Sequence, residues 1–468
     1  MFDINTLPLG EQPAIVSENG LISWSAFHTT YDTVHRKITG LLKEKHRAIV
    51  LLHDSQAEQT PDMAIYILVA LSLKIPFVPL DRNLPYERIR YIFSLIGCGI
   101  HVDCYDGSCK VFDRKLSTRP DIPDETAYII FTSGTTGDPK GVMIDRDAIA
   151  AFCRWFEADF PNLENPVFTL SASYSFDLSL MSIFPFLAKG SCLWINSQSD
   201  KLSDLQIPKP IQGREIHWVS TPSYLMLQLL SREFNDETMA GLKVFNFCGE
   251  PLEQNLVRKL KQRFPKARIF NSYGPTEATI AVSTVEITDI DAQSYRNRLP
   301  IGKRTHLLSV LEHTNEGELL ISGNQVMSGY IGQQEQSHAP EGRVYASGDV
   351  VEEHAGLLYL LDRVDAQIKY RGYRIDLAEI DAILSDHPNI QFAKTIAVTR
   401  QETIVRIVSF CVIDPEHHYS ENRLKTLLSK RLPHYAIPNE IRRVDALPIT
   451  QRHKLDTAAL LQLSAEPA

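Results

Sequence analysis

The chain has 468 residues, of which 44% are hydrophobic and 22% charged, and a formal net charge of −9. That length leaves room for two or more domains with ample core, and the composition is ordinary for a globular protein. The acidic balance argues against nonspecific nucleic-acid binding, but not against a small anionic ligand held by local loops.

The first residues, Met-Phe-Asp-Ile-Asn, lack a basic region followed by an apolar stretch, so no signal peptide is expected. Residues 1–120 alternate strand and helix patterns, as in Arg47–His53 (strand) followed by Pro61–Leu73 (helix). The apolar segment Met63–Leu73 is too short to span a bilayer. It reads as a buried helix leading into the strand Phe77–Leu80, and no membrane insertion is expected. The seven cysteines are scattered, and Cys104 and Cys109, which are close, lack paired metal-ligand spacing. Reduced thiols and a cytoplasmic location are the expectation.

Residues 128–144, Tyr-Ile-Ile-Phe-Thr-Ser-Gly-Thr-Thr-Gly-Asp-Pro-Lys-Gly-Val-Met-Ile, run from a buried strand into a glycine- and hydroxyl-rich loop. Gly134 and Gly137 let the backbone turn and approach a bulky anion. Thr132, Ser133, Thr135 and Thr136, with loop N–H groups, can surround phosphate oxygens while Lys140 adds charge. Walker A spacing is absent. By composition alone, a plain surface loop fits equally well.

The α/β alternation continues with strand Val167–Ser171, helix Leu178–Ala188, and strands Cys192–Ile195, Val244–Cys248 and Ala267–Asn271. In Asn271-Ser-Tyr-Gly-Pro-Thr-Glu-Ala-Thr279, Gly274-Pro275 forces a turn. Tyr273 offers a face to adenine, Thr276 a hydroxyl to phosphate, and Glu277 a hard carboxylate to Mg²⁺. A capped loop with a solvated Glu277 is the alternative. Residues 318–361 read as short strands forming a small β unit, and Asp349 within Tyr345-Ala-Ser-Gly-Asp349 has two oxygens to accept ribose hydroxyls, or is a turn aspartate. A boundary near residues 362–365 separates a large domain, 1–362, from a small α+β domain, 363–468.

The string at 128–144 resembles the phosphate loop of the adenylate-forming superfamily, which contains acyl-CoA ligases, luciferases and nonribosomal peptide adenylation domains. Asn271–Thr279 resembles that family's second core motif, Asp362–Asp376 its hinge motif, and Leu447–Asp456 its C-terminal catalytic-lysine motif. The resemblance covers nearly the whole chain. It implies layered α/β sheets in a large N-terminal domain and a small mobile C-terminal domain. It further implies that the small domain rotates between adenylating and thioester-forming orientations.

Carried over residue by residue, the resemblance implies that Thr132, Ser133, Gly134, Thr135, Thr136, Lys140, Asn271, Tyr273, Gly274, Thr276 and Asp349 hold ATP. Arg363 and Lys369 match ribose or phosphate contacts, Asp365 the pivot, Glu277 the Mg²⁺ ligand, and Lys454 the lysine that approaches the α-phosphate. Thr132, Glu277 and Lys454 are the catalytic set. The chain departs from the family pattern in three places: Ala346-Ser347 stands for Arg-Thr, Asp362 for a glycine, and Arg452-His453 for an Asn-Gly pair.

Asp177, in Tyr174-Ser-Phe-Asp-Leu-Ser-Leu-Met181, matches the acid that pairs with an α-ammonium in amino-acid-activating members, or opens a helix as an ordinary first-turn acid. Phe-Asp-Leu-Ser, Ser-Thr-Pro-Ser at 220–223 and Phe-Cys-Gly-Glu at 247–250 resemble D-alanine:carrier-protein ligases and the related glycine ligases of lipid A modification. The implied substrate set is Asp177, Met181, Asn246, Cys248, Gly249 and Ser272. Cys248 reads equally as a small buried hydrophobe. Asn246 stands where the D-alanine enzymes are expected to be apolar, which keeps glycine beside D-alanine. The implied partners are a small amino acid and a separate phosphopantetheinylated carrier protein. An acyl- or aryl-CoA ligase and a nucleotide-binding, non-catalytic relative remain as alternatives.

Overall fold

The computed structural model describes residues 2–18, 20–54, 60–113, 121–132, 138–196, 206–229, 231, 233–303, 309–313, 317–332, 343–364, 367–400, 403–413, 420–448 and 457–465. The chain divides into two compact units. The first comprises 1–82, 93–131 and 141–364; the second comprises 83–92, 132–140 and 365–468.

An eight-stranded sheet runs in the order Ser283–Glu286, Arg268–Tyr273, Leu242–Phe247, Ile216–Ser220, Val167–Leu170, Cys192–Ile195, Pro13–Ser17, Gly20–Ser23. Its six inner strands pair in parallel and both edge strands pair antiparallel. A seven-stranded sheet carries Ala48–His53 with Phe77–Asp81 and Cys98–Asp103 in parallel at its centre. The larger hydrophobic core draws on strands of both sheets and on helices Trp24–Leu41, Met63–Ser72, Arg146–Asp159 and Leu180–Lys189. A second core covers the other face of the eight-stranded sheet with helix Gln254–Arg263.

Side-chain alternation along one strand shows how sequence fixes this layering. In Leu242–Phe247 and the residue after it, Val244 and Cys248 join the first core, while Phe245 and Phe247 join the second. A slip of one residue would exchange the two faces and drive Asn246 into the phenylalanine layer. Helix Met63–Ser72 shows the complementary pattern: eight of its residues are buried, so its sequence is apolar all round.

The expected small β unit is a four-stranded antiparallel sheet, Ser309–His313, Glu318–Gly323, Val344–His354 and Leu357–Arg363. Its third strand, Val344–His354, is 11 residues long rather than one of the short strands expected over 318–361. Asp349 therefore sits within a strand, directly opposite Arg363, rather than after one. The expected helix Leu178–Ala188 begins as a 3₁₀ turn, Asp177–Ser179, and continues as helix Leu180–Lys189.

In the second unit, strands Gln367–Tyr370 and Tyr373–Asp376 form a two-residue hairpin in which Arg371 and Gly372 have φ of 51° and 82°. Two consecutive positive φ values mark the primed turn that tight hairpins favour. Tyr373 stacks on Tyr435 with ring centroids 3.8 Å apart. Asp376 then caps helix Leu377–Ser385, its Oδ1 accepting from the Ala378 N–H at 2.9 Å. Segment 83–92 joins this unit through Arg88, which donates to the buried Glu379 carboxylate at 2.8 Å. A three-stranded sheet, Ile390–Arg400, Thr403–Ile413 and Glu440–Val444, completes it with helices Glu421–Ser429 and Thr457–Ala465.

Candidate active site

Ligands of open α/β sheets collect beyond the carboxyl ends of the parallel strands. In the eight-stranded sheet, the carboxyl ends of Arg268–Tyr273 and Leu242–Phe247 lead into Gly274–Ala281 and Cys248–Gly249. Most of the expected nucleotide and substrate residues in the first unit lie there.

Tyr273 and Asp349, each 3% exposed, are joined by a hydrogen bond from the phenol to Asp349 Oδ2 at 2.5 Å. The other oxygen, Oδ1, pairs with Arg363. Arg363 also donates to the Ser347 carbonyl at 3.2 Å, and Ser347 Oγ accepts the Asp349 N–H at 3.1 Å. Burial, and then the Asp349 charge, hold the Tyr273 hydroxyl well above the ordinary phenol range. It is therefore a fixed donor at neutral pH. The Asp349 carboxylate is braced by a cation, a strand and a serine, an arrangement suited to accepting a ligand's hydroxyl groups.

The loop after Tyr273 is strained. Thr279 (φ 55°) and Ile280 (φ 72°) both lie in the left-handed region, where a β-branched residue is an outlier. The Ala281 N–H returns to the Thr279 carbonyl at 2.8 Å, closing a γ-turn around Ile280 of the rare, positive-φ kind. Gln325 clamps this turn from outside. Its carbonyl accepts the Thr279 hydroxyl at 2.6 Å, and its side-chain amide donates to the Ala281 carbonyl at 2.8 Å. Gly274 is required by close approach: a Cβ there would lie 2.4 Å from Ala281 Cα. Strain of this kind persists where surrounding contacts over-determine it, and it clusters at functional sites.

Glu277, 1% exposed, accepts from the Tyr330 hydroxyl at 2.8 Å. The Met327 N–H is bonded to its carbonyl at 2.8 Å. The described residues contain no group of three or more His, Cys, Asp or Glu side chains placed to share a cation. A single oriented, buried carboxylate does fit Mg²⁺, which keeps waters and binds through one or two carboxylates plus substrate phosphates. Thr276 is buried in the same turn, and Asn271 donates to the Pro300 carbonyl at 2.7 Å.

The expected substrate residues gather on one face of the same sheet. Asn246 is fully buried; its Oδ1 accepts from Ser272 at 2.8 Å, and its Nδ2 points at the Met181 sulfur, 3.5 Å away. Cys248 shares this strand face, with its sulfur 4.0 Å from the Ile280 carbonyl. Asp177, 6% exposed, opens the 3₁₀ turn four residues before Met181. Its charge is felt by the buried Tyr128 hydroxyl, which is raised first by burial and then by Asp177. Gly249 has a φ of +93°, and a Cβ there would touch Phe176 and Thr221 at 3.5 Å.

Thr132 ends strand Thr126–Thr132 and Lys140 begins strand Lys140–Asp145, so the two flank the glycine-rich loop. Lys369 lies in the second unit's hairpin, paired across it with Arg374. Ser133, Gly134, Thr135, Thr136, Asp365 and Lys454 lie outside the described residues. Sequence reasoning missed Gln325, Tyr330, Ser347 as a support of Asp349, and the strain at Thr279 and Ile280. All stand outside the motif strings or carry no unusual residue type; Gln325 and Tyr330 acquire roles only by folding.

Residues 9–331 match the AMP-binding enzyme family, and residues 379–454 match the AMP-binding enzyme C-terminal domain. The chain belongs to the AMP-binding enzyme family. Among family relatives, the D-alanine--D-alanyl carrier protein ligase of Bacillus licheniformis is 32% identical, over 86% of this chain and 87% of that protein. The ligase of the same name from Staphylococcus epidermidis is 31% identical, over 92% and 93%. The Vibrio cholerae adenylation domain AlmE, solved in complex with glycyl-adenosine-5'-phosphate, superposes with a TM-score of 0.80 at 21% identity, covering 97% of this chain and 95% of that one. The o-succinylbenzoate CoA synthetase of Bacillus subtilis gives 0.78 at 19%, covering 97% and 96%. These likenesses establish the α/β fold of a large N-terminal and a small C-terminal domain. Among the described residues, no helix is long and apolar enough to cross a membrane.

Proposed function

We propose that this AMP-binding enzyme activates a small amino acid, glycine or D-alanine, as its adenylate and passes it to a carrier protein. The observation that carries the reading is the buried Asp177 carboxylate four residues before Met181, whose sulfur lies 3.5 Å from the buried Asn246 amide. A negative charge at that place complements the α-ammonium of an amino acid, whereas a fatty or aryl acid brings no positive charge to it. The names of the relatives, which concern D-alanine, support the same class.

In the first step a substrate carboxylate oxygen bonds to the α-phosphorus of ATP. The bond from that phosphorus to the bridging oxygen breaks, and pyrophosphate leaves. Asp349 orients the ribose hydroxyls and Asp177 the ammonium. Thr132, Lys140 and the glycine-rich loop hold the phosphates, with Asn271, Tyr273 and Thr276 completing the nucleotide site. Lys454 and Arg363 balance developing charge. Glu277 is the residue that would hold Mg²⁺, whose chemistry is to neutralise the triphosphate. In the second step a phosphopantetheine thiol of a separate carrier protein attacks the acyl carbon, and AMP leaves with the former carboxylate oxygen. No protein nucleophile is needed, so Cys248 shapes the pocket.

We assign residues 1–362 to the large adenylating domain and 363–468 to a small mobile domain pivoting at Asp365, with Lys369 serving one of its orientations. A cytoplasmic location and a role in cell-envelope modification complete the reading. ATP–pyrophosphate exchange across glycine, both alanines, fatty acids and aromatic acids tests it. Exchange confined to small amino acids is expected. Exchange with fatty or aryl acids alone would mark a CoA ligase, and nucleotide binding without any exchange a non-catalytic relative.

A further inference from the structure

We propose that Arg406 and Arg442 are positioning residues for adenylate formation: they clamp the end of helix Thr457–Ala465 and thereby fix the tether of Lys454. The inference rests on the reading above, in which Lys454 balances charge developing in the first step.

The clamp is built on one face of the second unit's three-stranded sheet. Arg406 lies on strand Thr403–Ile413; Glu440 and Arg442 lie on its parallel neighbour, Glu440–Val444. Arg442 holds one Glu440 oxygen through two nitrogens, with Nε 2.9 Å and Nη2 2.6 Å from Oε2. Arg406 Nη1 donates to the other oxygen, Oε1. With the carboxylate between them, both guanidinium groups are fixed in direction. Their further N–H groups reach the helix end. Arg442 Nη1 donates to the Leu463 carbonyl at 2.7 Å and Nη2 to the Ser464 carbonyl at 3.3 Å, and Arg406 Nη2 donates to the same Ser464 carbonyl. A helix's last carbonyls have no partner within it and form the negative end of its dipole, so cations are favoured there. An isolated surface ion pair contributes little, but this is a network with two-pronged geometry that also caps a helix.

The helix depends on that cap. Its 9 residues are too few to be stable alone in water. Among the described residues its apolar anchor is small: Leu460, fully buried, joins Ile396, Val408 and Phe410, and Leu463 packs partly against them. Leu447 packs on the same cluster. Leu447 and Leu460 stand seven residues before and six after Lys454, so both flanks of the lysine are tied to one patch of sheet. A charge-assisted hydrogen bond favours the docked helix by roughly 10- to 150-fold, as much as one fully buried leucine. Losing both arginines therefore removes a share comparable to the whole leucine anchor. The helix then frays, the tether lengthens, and the lysine is less often at the α-phosphate.

The experiment compares the full-length protein with R406M/R442M and R442K. ATP–pyrophosphate exchange, with whichever of glycine and D-alanine the wild type activates faster, gives kcat and the KM for ATP. Amide hydrogen exchange reports the helix. In R406M/R442M, kcat is expected to fall at least about 10-fold with the KM for ATP unchanged, and protection to be lost over 457–465 alone. R442K, which keeps a cation at the helix end, is expected to retain kcat within about 3-fold. Protection intact over 457–465, or wild-type kcat despite its loss, would overturn the proposal. So would a rise in KM with protection lost throughout the second unit, the mark of a merely structural role. If R406M/R442M does not fold, R442M is judged by the same criteria, with a fall in kcat of at least about 3-fold expected. Full exchange in K454A, or no exchange by the wild type with any amino acid, would instead remove the reading beneath the proposal.

Discussion

Tyr273 and Asp349, 76 positions apart in sequence, meet in a buried hydrogen bond of 2.5 Å. The carboxylate's other oxygen pairs with Arg363 across the sheet register. Two motifs that sequence treats separately are thereby one device: the aromatic residue and the arginine together fix the orientation of the acid.

Asp349→Asn keeps the shape, loses the charge pair with Arg363, and weakens the acceptor. The expected outcome is a rise of about 10-fold or more in KM for ATP, consistent with roughly 1.5–3 kcal/mol for a charged hydrogen bond. Tyr273→Phe removes one support only and should cost about 5-fold. Titration of ATP into the folded variants checks both; affinities equal to wild type would take Asp349 out of the nucleotide site.

Gln325 is expected to act through the turn it clamps. Gln325→Ala removes the bond to the Ala281 carbonyl and lets the strained Thr279–Ile280 pair relax. Exchange activity should fall about 10-fold while thermal unfolding shows that the protein remains folded, and Gln325→Glu should not rescue it, because a carboxylate lacks the N–H. Full activity in Gln325→Ala would mean that the turn holds itself.

Asp177→Ala should abolish amino acid activation without weakening ATP binding, because the lost contact is to the ammonium. Asp177→Asn should retain the shape and still fail, since a neutral amide cannot compensate a buried cation. Direct ATP binding beside exchange assays separates the two effects, and retained activity with glycine or alanine would move the substrate elsewhere.

Acid should destabilise the fold over a defined window. Burial lowers the pKa of His217 from 6.5 to about 3, with Lys189 adding to the shift. Burial likewise lowers His53 to about 4, against the opposing Asp81 and Asp54 charges. Above pH 6.5 both are neutral whether folded or unfolded. Below it, the unfolded chain takes up protons that the folded one refuses. Stability therefore declines as pH falls from 6.5 toward about 4 and 3, and then levels for these two groups. His217→Phe suits a site where the ring already stacks on Phe156, with centroids 5.4 Å apart, and should flatten the slope. Urea melts at several pH values read it; identical slopes in both proteins would contradict the assignment.

The sequence was most informative where local periodicity and chemistry agree. The strands Val167–Leu170 and Cys192–Ile195, and the helix Met63–Ser72, are nearly continuous apolar runs whose burial on both sides explains the pattern. It was least informative where function depends on long-range contact. Nothing in Gly-Asn-Gln-Val announces that Gln325 braces a γ-turn 44 residues upstream. Gly274 was read as a turn former, but close packing on Ala281 is what demands it. For Asp349 a turn aspartate was one of two readings, whereas cross-strand pairing to Arg363 places it within a long strand. Asn246, by contrast, was conspicuous in the sequence as a polar residue in an apolar strand, and the structure supplies its partners.

The central claim is that the carboxyl edge around Tyr273, the strained loop and Asp349 holds the adenylate of a small amino acid. A crystal structure with a non-hydrolysable glycyl-adenylate analogue tests it most directly. The account predicts ribose hydroxyls on Asp349, the glycyl ammonium on Asp177, and the α-phosphate beside Thr276. An analogue bound away from that edge, with Asp349 and Asp177 contacting only protein, would contradict it.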